Sequence, residues 1–379
     1  MFEAACPAGF QTPAEFTAVV LAGRGNSLFP LTEDSNLPKA LLPVANRPMI
    51  SYVINWLEAG GIKDILVVTC RKSEQPIAKY LREMHEGIAN IEIVEIEESL
   101  GTAEVIRSIR DRIKNDFIVA SCDSITDAPA QQFLDLYRLS RPSMAVLLSE
   151  EMDSEGGGGS SKDEELRYVV GIDQRSSQLV MLKPIDDDAS DFDMRSSLIK
   201  KYPSLAISNK FLDVHIYVFS QWVIDFLNAN PNITSLQEQL LPIMVRAQSQ
   251  PQTYASYNFD QYINQKTDPC CDEGSSLNLS SLPGGNSDGI PLVKTNPLSV
   301  FAYTRRTCVG GRANTNPRYC DLNKGMAKLY GGAKVDPSAL VGQKTLVAPD
   351  SLVGHGTRVG RSCRIEKSVV GLHCSIGDN

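Results

Sequence analysis

The residues best suited to chemistry lie at the ends of apolar runs. "FTAVVLAG" (16–23) leads into a turn with Gly23, Arg24 and Gly25, and "LPKALLPV" then supplies Lys39. Glycines after a buried strand let backbone N–H groups approach an anion such as a phosphate, and a nearby lysine adds charge. A second apolar run, "DFIVASCD", ends in Asp123. A single carboxylate seldom holds Mg2+ without waters, phosphates and a second ligand. Lys39 reads either as an exposed surface lysine or as a residue at the rim of the opening loop.

Positioning these groups requires a sheet. Residues 16–150 alternate short apolar runs with amphipathic stretches: "DILVVTC", "NIEIVEIE", "DFIVASCD" and "SMAVLLSE" as strands, "PMISYVINWLEAGG", "EQPIAKYLREMHEG", "TAEVIRSIRDRIKN" and "APAQQFLDLYRLS" as helices. Such alternation predicts an α/β fold, doubly wound around a mostly parallel sheet. Ligands of these sheets bind beyond the carboxyl ends of the strands, so residues 23–30 and Asp123 share one rim. Further on, "RYVVGID", "QLVMLKPI" and "FLDVHIYVFS" read as strands and "SLQEQLLPIMVRAQ" as a helix.

Two stretches interrupt this order. Residues 152–166 form a flexible excursion, and 264–295 a Gly-, Ser- and Asn-rich insertion expected to be disordered. The remaining expected divisions are a tail at 1–15, a domain at 16–263, a connecting segment at 296–333 and a separate unit at 334–379.

In that last unit Val341, Val347, Val353, Val359 and Ile365 fall six apart, and Ile376 resumes the count after one slip. Ala339, Thr345, Ser351, Thr357, Cys363 and Cys374 stand two positions before them. A six-residue period in two registers predicts a left-handed parallel β-helix, with the aliphatic residue inward and the small one at the corner.

Composition narrows the function classes. The 379 residues suffice for two or three domains, and 42% hydrophobic with 22% charged residues is ordinary for a globular chain. A formal charge of −8 argues against a protein that grips nucleic acid mainly through phosphates. No apolar run approaches the ~20 residues of a membrane span, and the amino terminus lacks signal-peptide character. The nine cysteines form no C-x-x-C pair, as suits reduced thiols in the cytosol.

On these residues the chain resembles the sugar-phosphate nucleotidyltransferase superfamily with a hexapeptide-repeat tail. The stretches "LPKALLPVANRPMISYVINWL" and "DFIVASCDSITD" carry the general likeness. "KYPSLAISNKFLDVHIYVFS" and the degraded opening loop make it similar in detail to the family of gamma subunits of eukaryotic translation initiation factor 2B, which "RANTNPRYCDLNKGM" also matches. The nucleotidyltransferase-like, Rossmann-like fold is implied by that resemblance.

The resemblance also implies a nucleotide rim of Leu21, Ala22, Gly23, Lys39, Gly101 and Asp123, kept as a vestige. Active members open with L-A-G-G-x-G-T-R-L-x-P-L-T. Here "LAGRGNSLFPLT" is one residue shorter and has Ser27 before Leu28 where the arginine would stand; Arg24 is displaced from that place. Gly101, Thr102 and Ala103 match the segment near the base, or else cap a helix, with Thr102 as the cap. Asp123 matches the metal-binding aspartate. Asp213 is a poor second because it is expected to precede its strand. "MLKPI" keeps Lys183 and Pro184 of the sugar-binding pattern but has Leu182 for its glutamate. His215 is read as structural, and Asp186, Asp187, Asp188 and Asp191 as a solvated acidic face.

The expected role is therefore a subunit without catalytic residues, metal or cofactor. The resemblance implies a heterodimer with the epsilon subunit, joined by alpha, beta and delta subunits. That assembly exchanges GDP for GTP on translation initiation factor 2 and is inhibited by the phosphorylated factor. The alternatives are an active sugar-1-phosphate nucleotidyltransferase, similar to GDP-mannose pyrophosphorylase, and a nucleotide-sugar sensor.

Overall fold

The computed structural model describes residues 15–33, 37–85, 87–97, 100–150, 167–185, 194–263, 297–305, 310–329 and 335–378. The excursion at 152–166, the insertion at 264–295 and the acidic stretch from Asp186 to Asp191 lie outside the described residues.

Ten strands form one sheet: β1 Phe16–Ala22, β2 Asp64–Cys70, β3 Asn90–Ile96, β4 Asp116–Ser121, β5 Met144–Glu150, β6 Tyr168–Asp173, β7 Gln178–Pro184, β8 Leu205–Ser208, β9 Phe211–Phe219 and β10 Val300–Arg305. Their spatial order is β8-β6-β7-β10-β5-β9-β4-β1-β2-β3. Seven strands run one way; β7, β8 and β9 run against them. The parallel block β4-β1-β2-β3 is the part that the alternating pattern predicts, because each crossover there passes through a helix.

Strand periodicity divides the core in two. Val19, Leu66, Val68, Phe117 and Val119 point into one apolar cluster, and Ala18, Val20, Ile65, Val67, Ile118 and Ala120 into the other. Helices α1 Met49–Ala59, α2 Arg71–Met84 and α4 Ala130–Ser140 cover the second cluster. Helix α3 Thr102–Ser108 covers the first, with the helices Trp222–Ala229 and Leu241–Ser249. The sheet is thus wound on both faces, and this burial explains its near-continuous apolar strands.

The stretch 296–333 is more than a connection. Val300 and Ala302 are buried, and β10 inserts between β5 and β7 in the middle of the sheet. Gly310–Arg312 then pairs antiparallel with Ser124–Thr126, directly after Asp123. The polar character of 310–316 hides this at the sequence level, since it reads as a loop between apolar runs.

Beyond residue 335 the chain forms two-residue strands stacked in parallel. Val341 pairs with Val359 and Val347 with Ile365, eighteen residues on; Val353 pairs with Val370 and Val359 with Ile376, seventeen on. The change from eighteen to seventeen is the slip in the hexapeptide count. Val353, Val359, Cys363 and Ile365 form the enclosed core of these coils, with Val347, Val370 and Ile376 against it. Val341, expected inward, is 38% exposed.

The small residues do more than allow a corner. Thr345, Ser351 and Thr357 each accept, at the hydroxyl, a backbone N–H from the next coil: Cys363 (3.3 Å), Ser368 (3.2 Å) and Cys374 (3.2 Å). They close the backbone groups that two-residue strands leave unpaired.

Candidate functional site

The strand order reverses beside β1. The chain passes from β1 outward to β2 and β3, then returns to lay β4 on the other side of β1. A crevice opens at such a switch point, and both chemically interesting groups stand there. The opening loop follows β1, and Asp123 follows β4, whose exit is fixed by a hydrogen bond from Cys122 N–H to the Leu21 carbonyl (3.0 Å).

Asp123 is fully buried. Lys39 Nζ donates to its Oδ2 at 2.5 Å and to Asn314 Oδ1 at 2.8 Å. Arg312 closes the other side, with Nε 3.3 Å from Asp123 Oδ1 and Nη2 3.3 Å from Oδ2. Ala313 N–H donates to the Asp123 carbonyl (2.9 Å). Burial alone would raise the Asp123 pKa, but the guanidinium of Arg312 and the ammonium of Lys39 hold it well below the ordinary carboxylate range. Next to it, burial and the Asp123 charge push the Cys122 thiol up to about 12, so it stays protonated.

The network continues through His215. Arg312 Nη1 lies 3.2 Å from His215 Nε2, and Gln237 Oε1 lies 2.5 Å from the same nitrogen. Desolvation and then Arg312 lower the His215 pKa to about 3, leaving the imidazole neutral at physiological pH. Its backbone is left-handed (φ 60°) at a bulge of β9. There His215 N–H donates to Asp213 Oδ1 (2.8 Å), while Tyr217 OH donates to Asp213 Oδ2 (2.5 Å). Asp213 therefore lies within its strand rather than before it, and it serves the bulge.

The opening loop is packed from below. Gly25 has φ 75°, and a Cβ on it would fall 2.4 Å from Lys39 Cδ. This glycine permits close approach to the lysine stem. Ser27 is exposed, while Leu28 is fully buried against Leu42, Val44, Met49, Ala313, Leu322 and Met326. Where a positive charge would meet a triphosphate, the chain has an anchor for its own core.

Gly101 is the residue before α3 and caps it, with its N–H donated to Glu104 Oε2 (2.6 Å). Thr102, expected as the cap, is the first helical residue; its hydroxyl accepts Leu236 N–H (2.9 Å), and Ala103 N–H donates to the Thr234 carbonyl (2.9 Å). Leu182 is buried in the apolar core, and Lys183 stands beside it on β7 opposite Val169. Of the predicted rim, the structure joins Lys39 to Asp123 at the ends of β1 and β4. It adds Arg312, Asn314, His215 and Gln237, none of them expected there. The signal for the first two was "RANTN", a cation and an amide two apart in a polar stretch.

A magnesium ion does not fit this site. Both Asp123 oxygens are already taken by cations, and among the described residues no three His, Cys, Asp or Glu groups are placed to hold a metal ion. The neighbouring strand Gly310–Arg312 and the residues after it bring Arg312 to Asp123 and Asn314 to Lys39.

Residues 17–262 match the family model described as nucleotidyl transferase. The chain is 35% identical over 320 residues to the translation initiation factor eIF2B subunit gamma of Schizosaccharomyces pombe, covering 84% of this chain and 66% of that protein. Against the subunit gamma of Dictyostelium discoideum it is 28% identical over 348 residues, covering 84% and 76%. It thus spans roughly two thirds to three quarters of these relatives' own length. A solved structure described as a glucose-1-phosphate thymidylyltransferase of Bacillus anthracis superposes with a TM-score of 0.51 at 15% identity, covering 81% and 94%, a likeness of fold. With more than half of its length matched by that family model, the chain belongs to the nucleotidyl transferase family.

Proposed function

We propose that this chain is a non-catalytic subunit of initiation factor 2B, the assembly that converts GDP-bound translation initiation factor 2 to its GTP form. The observation that carries the reading is the neutralised Asp123: this rim carboxylate is held by Lys39 and Arg312 of the same chain. Nucleotidyl transfer requires charge stabilisation that develops on the phosphates. Here the lysine and the arginine are spent on an internal carboxylate, and Leu28 fills the loop. The gamma-subunit names of its relatives give the positive half of the reading.

In this role the chain pairs with the epsilon subunit and, through it, with alpha, beta and delta subunits in the cytosol. Exchange acts by favouring the nucleotide-free G protein over its GDP-bound form, and binding of the phosphorylated factor opposes it. The stacked coils from residue 335 form a left-handed β-helix, whose rigid faces suit a scaffold. No described helix is long and apolar enough to cross a membrane.

Two measurements test the proposal. The purified chain, given sugar 1-phosphates, each nucleoside triphosphate and Mg2+, releases pyrophosphate at the rate of the enzyme-free control; turnover near ordinary enzyme rates, about 1 per second or more, refutes it. The native complex recovered from cells contains a protein bearing the epsilon subunit's exchange domain. Recovery as a lone chain counts against the assembly.

A further inference from the structure

The ionic cluster at Asp123 joins two parts of the chain. Asp123 and Lys39 belong to the rim of the sheet. Arg312 and Asn314 open the segment that runs through the Asn316–Leu329 helix to the stacked coils. Further hydrogen bonds cross between the same two parts. Ala45 N–H donates to Asn323 Oδ1 (2.7 Å), Tyr319 OH to the Pro43 carbonyl (2.5 Å), Asn316 Nδ2 to the Phe29 carbonyl (3.1 Å) and Asn46 Nδ2 to the Val370 carbonyl (3.0 Å). Apolar contact joins the two parts as well: Ala313, Leu322, Met326, Ala327 and Leu352 are buried in one cluster with Leu28, Leu42, Val44 and Met49, but apolar packing is non-directional and leaves the exact seat to the polar contacts.

We propose that the inherited reaction centre now works as a latch, in which the buried Asp123 carboxylate sets the seat of residues 310–329 and 335–378 on the sheet. A buried charge must be met, and Arg312 and Lys39 are the cations that meet it. Moving 310–316 away would leave Asp123 to Lys39 alone and would strip Lys39 of Asn314. The forked guanidinium adds direction, because it pairs with both carboxylate oxygens only over a narrow range of positions. Gly25 rests on the Lys39 stem, so the latch also reaches the opening loop. The two groups that once would have faced a triphosphate thus govern how the carboxyl-terminal segment is carried. This holds whichever partners the chain assembles with.

Amide hydrogen exchange on the full chain tests the latch, because local opening appears as faster exchange in one cooperative unit. In Arg312→Gln, peptides from 310–329, 335–378 and 25–33 exchange about 10-fold faster or more, while β1 and β2 stay within about twofold of wild type. Asn314→Ala, a milder change, gives the same pattern at smaller amplitude and serves alone if Arg312→Gln does not fold. No local change in either variant overturns the latch. So does an equal rise in β1 and β2, which would make the cluster a general stabiliser. Pyrophosphate release by the wild-type chain would refute the non-catalytic reading and leave these outcomes untouched.

Discussion

Single residues set the electrostatics of this molecule. Removing one partner of a buried ion pair leaves the other charge unmet, at a cost of about 3–5 kcal/mol. Arg312→Gln is therefore expected to lower the free energy at which 310–329 and 335–378 open locally, read by hydrogen exchange, by about 3 kcal/mol, well beyond any exposed arginine. The cluster's share of the pH dependence follows from two of its groups, both with lowered pKa values. Asp123 has a folded pKa below its unfolded value of about 4, so its contribution is complete above that pH and is lost only as the solution becomes strongly acid. His215 acts earlier. As pH falls below about 6.5 the unfolded chain takes up its proton, while the folded imidazole resists until about 3. Stability should decline across that window by up to about 1.4 kcal/mol per pH unit for this one group. His215→Asn tolerates the left-handed backbone and removes the titration. Denaturation at pH 7, 6 and 5 should show a visibly shallower decline in the variant, and parallel declines would refute the assignment.

At the level of elements, the fold depends on a few close approaches. Gly25→Ala combines a positive φ with contact on the Lys39 stem and should cost about 1–3 kcal/mol. Calorimetry would register this as a lower midpoint. In the coils, Thr357 is fully buried; its hydroxyl donates to the Gly371 carbonyl (2.8 Å) and accepts Cys374 N–H. Thr357→Val keeps the shape and orphans both, a loss of about 1–3 kcal/mol. Thr357→Ser keeps the hydrogen bonds and should restore most of it. Equal loss in both variants would assign the effect to packing. The hexapeptide spacing made the inward aliphatic row legible, because a two-residue strand shows its period directly. The hydroxyl ladder was hidden, because Ala, Cys, Ser and Thr look equivalent as small residues until the next coil lies beside them.

Across the whole molecule, the sheet bears the segment that follows it, through the pairing of Gly310–Arg312 with Ser124–Thr126. Ligand linkage offers a direct check. A site whose carboxylate is already paired gains nothing from Mg2+, so millimolar Mg2+ should leave the unfolding midpoint unchanged. A rise of about 3 °C or more would mean that the ion binds the folded state. The acidic chain, with its formal charge of −8, also leaves Asp123 as a buried exception: its charge is balanced within the fold.

The amino-acid sequence alone determined the alternating strands and helices of 16–150, the rim shared by the opening loop and Asp123, and the six-residue period of the tail. Each of these is local, written in periodicity or in the residue that ends an apolar run. The tertiary structure decided what the rim residues touch. Arg312 is 189 residues from Asp123 and Asn314 is 275 from Lys39, separations across which no spacing rule operates. Only when β10 enters the sheet and Gly310–Arg312 pairs beside Asp123 do the two charges meet. A buried carboxylate needs a counter-charge, and folding alone decides which cation supplies it.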